Sequence, residues 1–311
     1  AVLVSMTLFL PISEGQCDCK AAEAPARSRA SLSRVNTTAA SAPFDAPLAS
    51  TRIGEGSRRV AFLHGLMGRG RNFTGPAKEL GDDFTVELID LPDHGASPWT
   101  DRVDYREIAD RVAAHLRAGL AADGPVHLLG HSMGGKVAMV LALRHPELVD
   151  RLIVEDISPR LSPQATDEFV HLLGTMLRMD LDAYDSRAEA DAAMAEHVHD
   201  ARVRGFLLQN LRRTAGHFAW QPNVAMLFEH LREIGSFPDP VVPEDPERVF
   251  DHPVLWLAGA ESDYVQDEDV PRMKELFPRV VRVTVRDAGH WLHADQPEAF
   301  VSAVRTFLTA D

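Results

Sequence analysis

The sequence predicts an α/β protein: a mostly parallel central sheet with helices on both faces and a helical cap inserted late in the chain. Three observations carry that expectation. Short apolar runs recur without strict polar alternation, as strands buried on both faces do. Helical spacing intervenes between them, as over Tyr105 to Leu120. Between Ser158 and Phe250 the rhythm becomes helical, with Phe169, Leu172, Leu173, Met176 and Leu177 at helical intervals and no convincing strand.

Taken in order, residues 1–43 read as a disordered leader or targeting segment. The opening apolar run AVLVSMTLFLPI is too short for a transmembrane helix, and Glu14-Gly15-Gln16-Cys17 is a poor cleavage or lipidation site. Ala26 to Pro43, rich in Ala, Ser and Arg without an acid, suits a transit peptide or a plain leader, and the plain leader is the reading adopted. A cytoplasmic protein follows from it; a secreted or organellar one would follow from a targeting signal. The fold is expected to begin near Phe44, with a core over 44–158 and 251–311 and the cap over 159–250. Strands are expected at Val60 to Leu63, Thr85 to Ile89, Val126 to Leu129, Leu152 to Val154, Val254 to Leu257 and Val280 to Val285. The cap is expected over the carboxyl edge of the sheet, where ligands bind in open α/β folds.

Composition narrows the function. Apolar residues at 45% and charged ones at 25% describe an ordinary soluble chain with no integral membrane segment. A formal net charge of -14 repels nucleic acid and anionic membrane, which leaves small neutral molecules as partners. Both cysteines, Cys17 and Cys19, lie in the leader, so the rest of the chain owes nothing to disulfides, zinc thiolates or a thiol nucleophile. No His, Cys and carboxylate cluster has metal-ligand spacing, so neither metal nor cofactor is expected.

The chemistry concentrates around Gly130-His131-Ser132-Met133-Gly134, which follows one apolar strand and opens a helix. A Ser at so sharp a turn needs neighbours without bulk, and Gly130, Gly134 and Gly135 supply the clearance. Ser132 is therefore the candidate nucleophile. A hydroxyl needs a base and a group to orient that base. His290, in Ala288-Gly289-His290-Trp291 after the last strand, is the candidate base, with His293 its neighbour one turn on. Asp156 and Asp263 both stand at strand ends and both are candidate acids. For the oxyanion hole, the Met133 N–H follows the nucleophile, and the Leu66 N–H follows the first clear strand in His64-Gly65-Leu66-Met67-Gly68.

These pieces resemble the α/β-hydrolase superfamily over nearly all of residues 55–309. HGLMG with Asn72-Phe73, Asp93-His94-Gly95-Ala96-Ser97, GHSMGGK, Asp156-Ile157-Ser158-Pro159 and Gly289-His290-Trp291-Leu292-His293-Ala294 are similar to the YbfF-type esterases and their mitochondrial relatives. The resemblance implies the α/β-hydrolase fold and assigns the acid to Asp156, because Ser262 occupies the more usual acid position and Asp263 is one residue beyond it. Asp93 stands where these relatives usually carry Asn. The implied activity is serine carboxylester hydrolysis of short to medium acyl esters. The alternatives are a thioesterase or an alcohol acyltransferase with the same triad, and then a non-catalytic ligand-binding protein.

Overall fold

The computed structural model describes residues 46–161 and 163–310, so the leader and Phe44 lie outside the described residues. The core strands are β1 (Ser50–Ile53), β2 (Arg58–Leu63), β3 (Phe84–Ile89), β4 (Val126–His131) and β5 (Val149–Glu155). A hairpin, β6 (Leu211–Thr214) and β7 (His217–Trp220), precedes the last two core strands, β8 (Val254–Gly259) and β9 (Val280–Val285). The main sheet runs β1-β3-β2-β4-β5-β8-β9; β1 is antiparallel to β3 and every other pair is parallel. All six expected strands are present.

Helices follow from local signals. Helix α1 (Thr74–Leu80) precedes α2 (Tyr105–Ala118), whose N-cap Asp104 accepts the N–H groups of Arg106 and Glu107. Ile108, Val112 and Leu116, four apart, bury its inner face. Helix α3 (Met133–Arg144) is buried over nearly its whole circumference beneath the sheet. Helix α4 (Pro163–Arg178), α5 (Arg187–Ala195), α6 (Ala201–Leu208), α7 (Val224–Glu229) and α8 (Leu231–Gly235) follow between β5 and β8. The chain closes through α9 (Val270–Leu276), α10 (Leu292–Asp295) and α11 (Pro297–Thr309), where Pro297 starts the helix and Phe300, Val304 and Leu308 bury it. Among the described residues no helix is long and apolar enough to cross a membrane.

Two apolar clusters cover the sheet. One contains Phe62, Phe73, Leu129, Phe300 and Val304 on the α1 and α11 side. The other joins Leu63, Val137 and Val154 to Leu172, Leu207 and Leu227 of the inserted helices without a break. Each fully buried Leu or Phe contributes about 1.5–3 kcal/mol. Polar ties reinforce the joint: the Tyr105 hydroxyl donates to the Ile234 carbonyl at 2.6 Å, and the Asn210 amide donates to Met67 O at 2.7 Å.

The structure corrects the sequence reading in three places. The insertion does contain strands: β6 and β7 pair through a two-residue turn, with Ala215 at φ 50 and Gly216 at φ 91. Positive φ at both turn residues suits a tight hairpin. The arginines Arg212 and Arg213 hid the strand pattern. Ser50–Ile53 was also not anticipated, because an exposed edge strand needs no apolar run. Strand β9 is an edge strand with Val281 and Val283 exposed, rather than one buried on both faces.

Candidate active site

Ser132 sits between β4 and α3 with φ 53 and ψ -121, a backbone conformation that costs a non-glycine residue about 1–3 kcal/mol. Its N–H donates to the Glu155 carbonyl at 3.0 Å, which fastens the turn to β5. The glycines beside it are required by contact. A Cβ on Gly130 would lie 2.2 Å from Gly134 O, and one on Gly134 would lie 2.4 Å from His64 O.

Asp156 follows β5 at φ 49 and is fully buried. Its Oδ2 accepts from His290 Nδ1 at 2.8 Å and from the Ser262 hydroxyl, while Oδ1 accepts the Gly259 N–H at 2.9 Å. A carboxylate can only accept, so His290 carries its proton on Nδ1 and leaves Nε2 as a lone pair. Tyr264 stacks on the imidazole with centroids 3.8 Å apart and planes at 17°. His131 Nε2–H donates to the His290 carbonyl at 2.8 Å, so the residue before Ser132 also holds the backbone of His290.

The other candidates fall differently. Asp263 is exposed, and its carboxylate accepts from the Gln266 amide at 3.5 Å rather than from His290. His293 pairs with Glu155 at 2.8 Å. Among the described residues neither the Leu66 nor the Met133 N–H finds a protein acceptor, and both residues line one narrow slot with Ser132. Both N–H groups remain free to receive an oxyanion.

That slot is walled by Ile157, Phe169, Leu231 and Ile234, with Tyr264 and Lys136. Phe169 and Tyr264 are shared with a cleft of about 490 Å³ that reaches His290, so the two residues sit where slot and cleft join.

Residues 60–303 match the alpha/beta hydrolase family. The chain belongs to that family. This hydrolase is 36% identical over 257 residues to the sn-1-specific diacylglycerol lipase ABHD11 of Danio rerio, covering 81% of this chain and 78% of that protein. It is 28% identical over 252 residues to Esterase YbfF of Escherichia coli, covering 80% and 92%. Among solved structures it is similar to a marine microorganism esterase, with TM-score 0.79, 33% identity, and coverage of 84% of this chain and 99% of that one. The expected fold and the YbfF-type kinship both hold.

The partners of several residues beside the site escaped the sequence reading. His64 Nε2 accepts the Leu91 N–H at 2.9 Å, and His94 Nε2 accepts the Met67 N–H at 3.1 Å, so two neutral imidazoles brace the loop carrying Leu66. Burial, with His94 nearby, lowers His64 to about 3. Asp93 accepts from the Thr100 N–H at 2.7 Å and from the Asn223 amide at 3.2 Å, which ties its loop to the insertion. Lys136 donates to the carbonyls of Arg160, Gly235 and Ser236 at 3.1, 2.6 and 2.8 Å, and burial pulls its ammonium down to about 7. HGLMG and GHSMGGK contain His64 and Lys136; their partners lie too far along the chain to be read from it.

Proposed function

We propose that this hydrolase is a serine carboxylester hydrolase that works through an acyl-enzyme on esters of short to medium acyl chains. The observation that carries the reading is the His290 imidazole, oriented by fully buried Asp156, in a cleft that adjoins the slot of the strained Ser132. His290 Nε2 takes the Ser132 proton as the hydroxyl attacks the ester carbonyl. The Leu66 and Met133 N–H groups receive the oxyanion, and the α3 dipole adds to their pull. The imidazolium then protonates the departing alcohol; water, deprotonated by the same nitrogen, releases the acid and restores Ser132. The apolar slot receives the acyl chain and the wider cleft the alcohol. Similarity to a diacylglycerol lipase and to an esterase supports a neutral ester as substrate.

The test is hydrolysis of p-nitrophenyl esters from acetate to decanoate. Turnover is expected to fall with long chains, and Ser132→Ala is expected to lower kcat by about four to six orders of magnitude. A fluorophosphonate should label the wild type and not the variant. Turnover that survives in Ser132→Ala would remove the nucleophile from its role.

A further inference from the structure

Outside the triad, three groups from distant segments converge behind the catalytic loop. His131 ends β4, Glu155 ends β5 and His293 lies on α10, and one donor atom of each lies within 4.8 Å of the others. Glu155 is fully buried. Its Oε1 accepts both the Nδ1–H and the backbone N–H of His293, at 2.8 and 3.0 Å, while Oε2 has no partner among the described residues. A buried carboxylate oxygen without a protein donor is costly and offers a place for a cationic or protic partner. His131 donates Nε2–H to the His290 carbonyl, so its Nδ1 carries a lone pair. The cluster is not sealed: His131 and His293, with Phe73, Asn72, Arg202 and Trp291, line a cleft of about 370 Å³.

We propose that His131, Glu155 and His293 form a binding site for a zinc-class divalent cation, reached through this cleft and set directly behind His290. Two imidazoles and one carboxylate suit Zn²⁺ and its transition-metal neighbours, whereas Mg²⁺ and Ca²⁺ prefer oxygen-only sets. The His131 bond to a backbone carbonyl is the arrangement that fixes the tautomer of a metal-bound histidine. A cation would engage the unpartnered Oε2. Donors at about 2.0–2.2 Å from a tetrahedral ion are about 3.4 Å apart, so occupancy lengthens the 2.8 Å Glu155–His293 contact and rearranges the cluster. That rearrangement moves His131, which holds the backbone of His290, so the cation acts as an inhibitor and not as a cofactor. That coupling rests on the proposed esterase reading; binding does not.

Calorimetric titration of the full chain with ZnCl₂ tests the site. One ion per chain is expected, with affinity lowered at least about tenfold in Glu155→Gln and in His293→Asn, and with Co²⁺ but not Mg²⁺ competing. Circular dichroism confirms that each variant is folded, and His293→Asn carries the test if Glu155→Gln is not. Absence of saturable binding, or binding unchanged in the folded variants, overturns the proposal. In parallel, Zn²⁺ should lower p-nitrophenyl ester turnover of the wild type at least about tenfold, with recovery on adding EDTA. Saturable binding without inhibition removes the coupling; binding to a chain with no turnover at all removes the esterase reading and leaves the site.

Discussion

Two acid–histidine pairs stand side by side where β5 ends. Asp156 holds His290 and Glu155 holds His293, each at 2.8 Å, and both acids are fully buried. Their surroundings differ. Asp156 receives three donors over its two oxygens, whereas both donors to Glu155 fall on Oε1 and Oε2 is left bare. Interaction with His293 and His131 nevertheless outweighs burial and holds the Glu155 carboxyl below its ordinary range. The same pair chemistry therefore serves two ends. A fully bonded carboxylate stays fixed, which suits the orienter of a base; a half-bonded one keeps room for a further partner.

The sharpest way to break the contrast is to neutralise each acid. Asp156→Asn is expected to lower kcat by about 10⁴-fold, because the asparagine amide selects the wrong imidazole tautomer. Glu155→Gln is expected to cost far less turnover and about 1–3 kcal/mol of stability, read by urea unfolding. Equal losses of kcat in two folded variants would erase the distinction.

Proton balance gives a second, smaller test. Burial, with His290 and His293 nearby, lowers His131 to about 3, and His64 lies at a similar value. Between pH 6.5 and about 3 the unfolded chain binds protons that these two folded imidazoles refuse, so stability falls as pH drops through that window. From pH 7 to 5 each contributes a loss of about 2 kcal/mol. Urea unfolding at the two values measures it, and an unchanged midpoint would mean that the imidazoles are protonated in place.

The smallest effect belongs to Asp263. Asp263→Asn is expected to leave kcat within about twofold and stability within about 0.5 kcal/mol, as for other exposed side chains. A collapse of turnover in this variant would move the acid role there.

The core strands were legible because burial on both faces demands apolar runs such as Val254 to Leu257. Ser132 and His290 were legible because a strand-to-helix turn and a tight loop need glycines beside them. Asp156 was legible only through family resemblance, since a strand-end acid has no local pattern to separate it from Asp263. The β6–β7 hairpin was hidden by charge, its pairing being set by turn geometry and not by apolar alternation. The gathering of His131, Glu155 and His293 was hidden because spacing arguments see neighbours along the chain, and these meet only when β4, β5 and α10 come together.

Lys136 sets where one side of the insertion is fastened. Its ammonium ties Arg160, where the insertion leaves the core, to Gly235 and Ser236 at the end of α8, and all three bonds originate on α3, the helix that follows Ser132. A swing of the whole insertion breaks all three of these bonds. Lifting α4 to α6 between them breaks none of the three. The end of α6 is held by other means, the Asn210 amide on Met67 O and the Asn72–Gln209 amide pair, so the insertion is fastened to the core at two places and by two unlike sets of bonds.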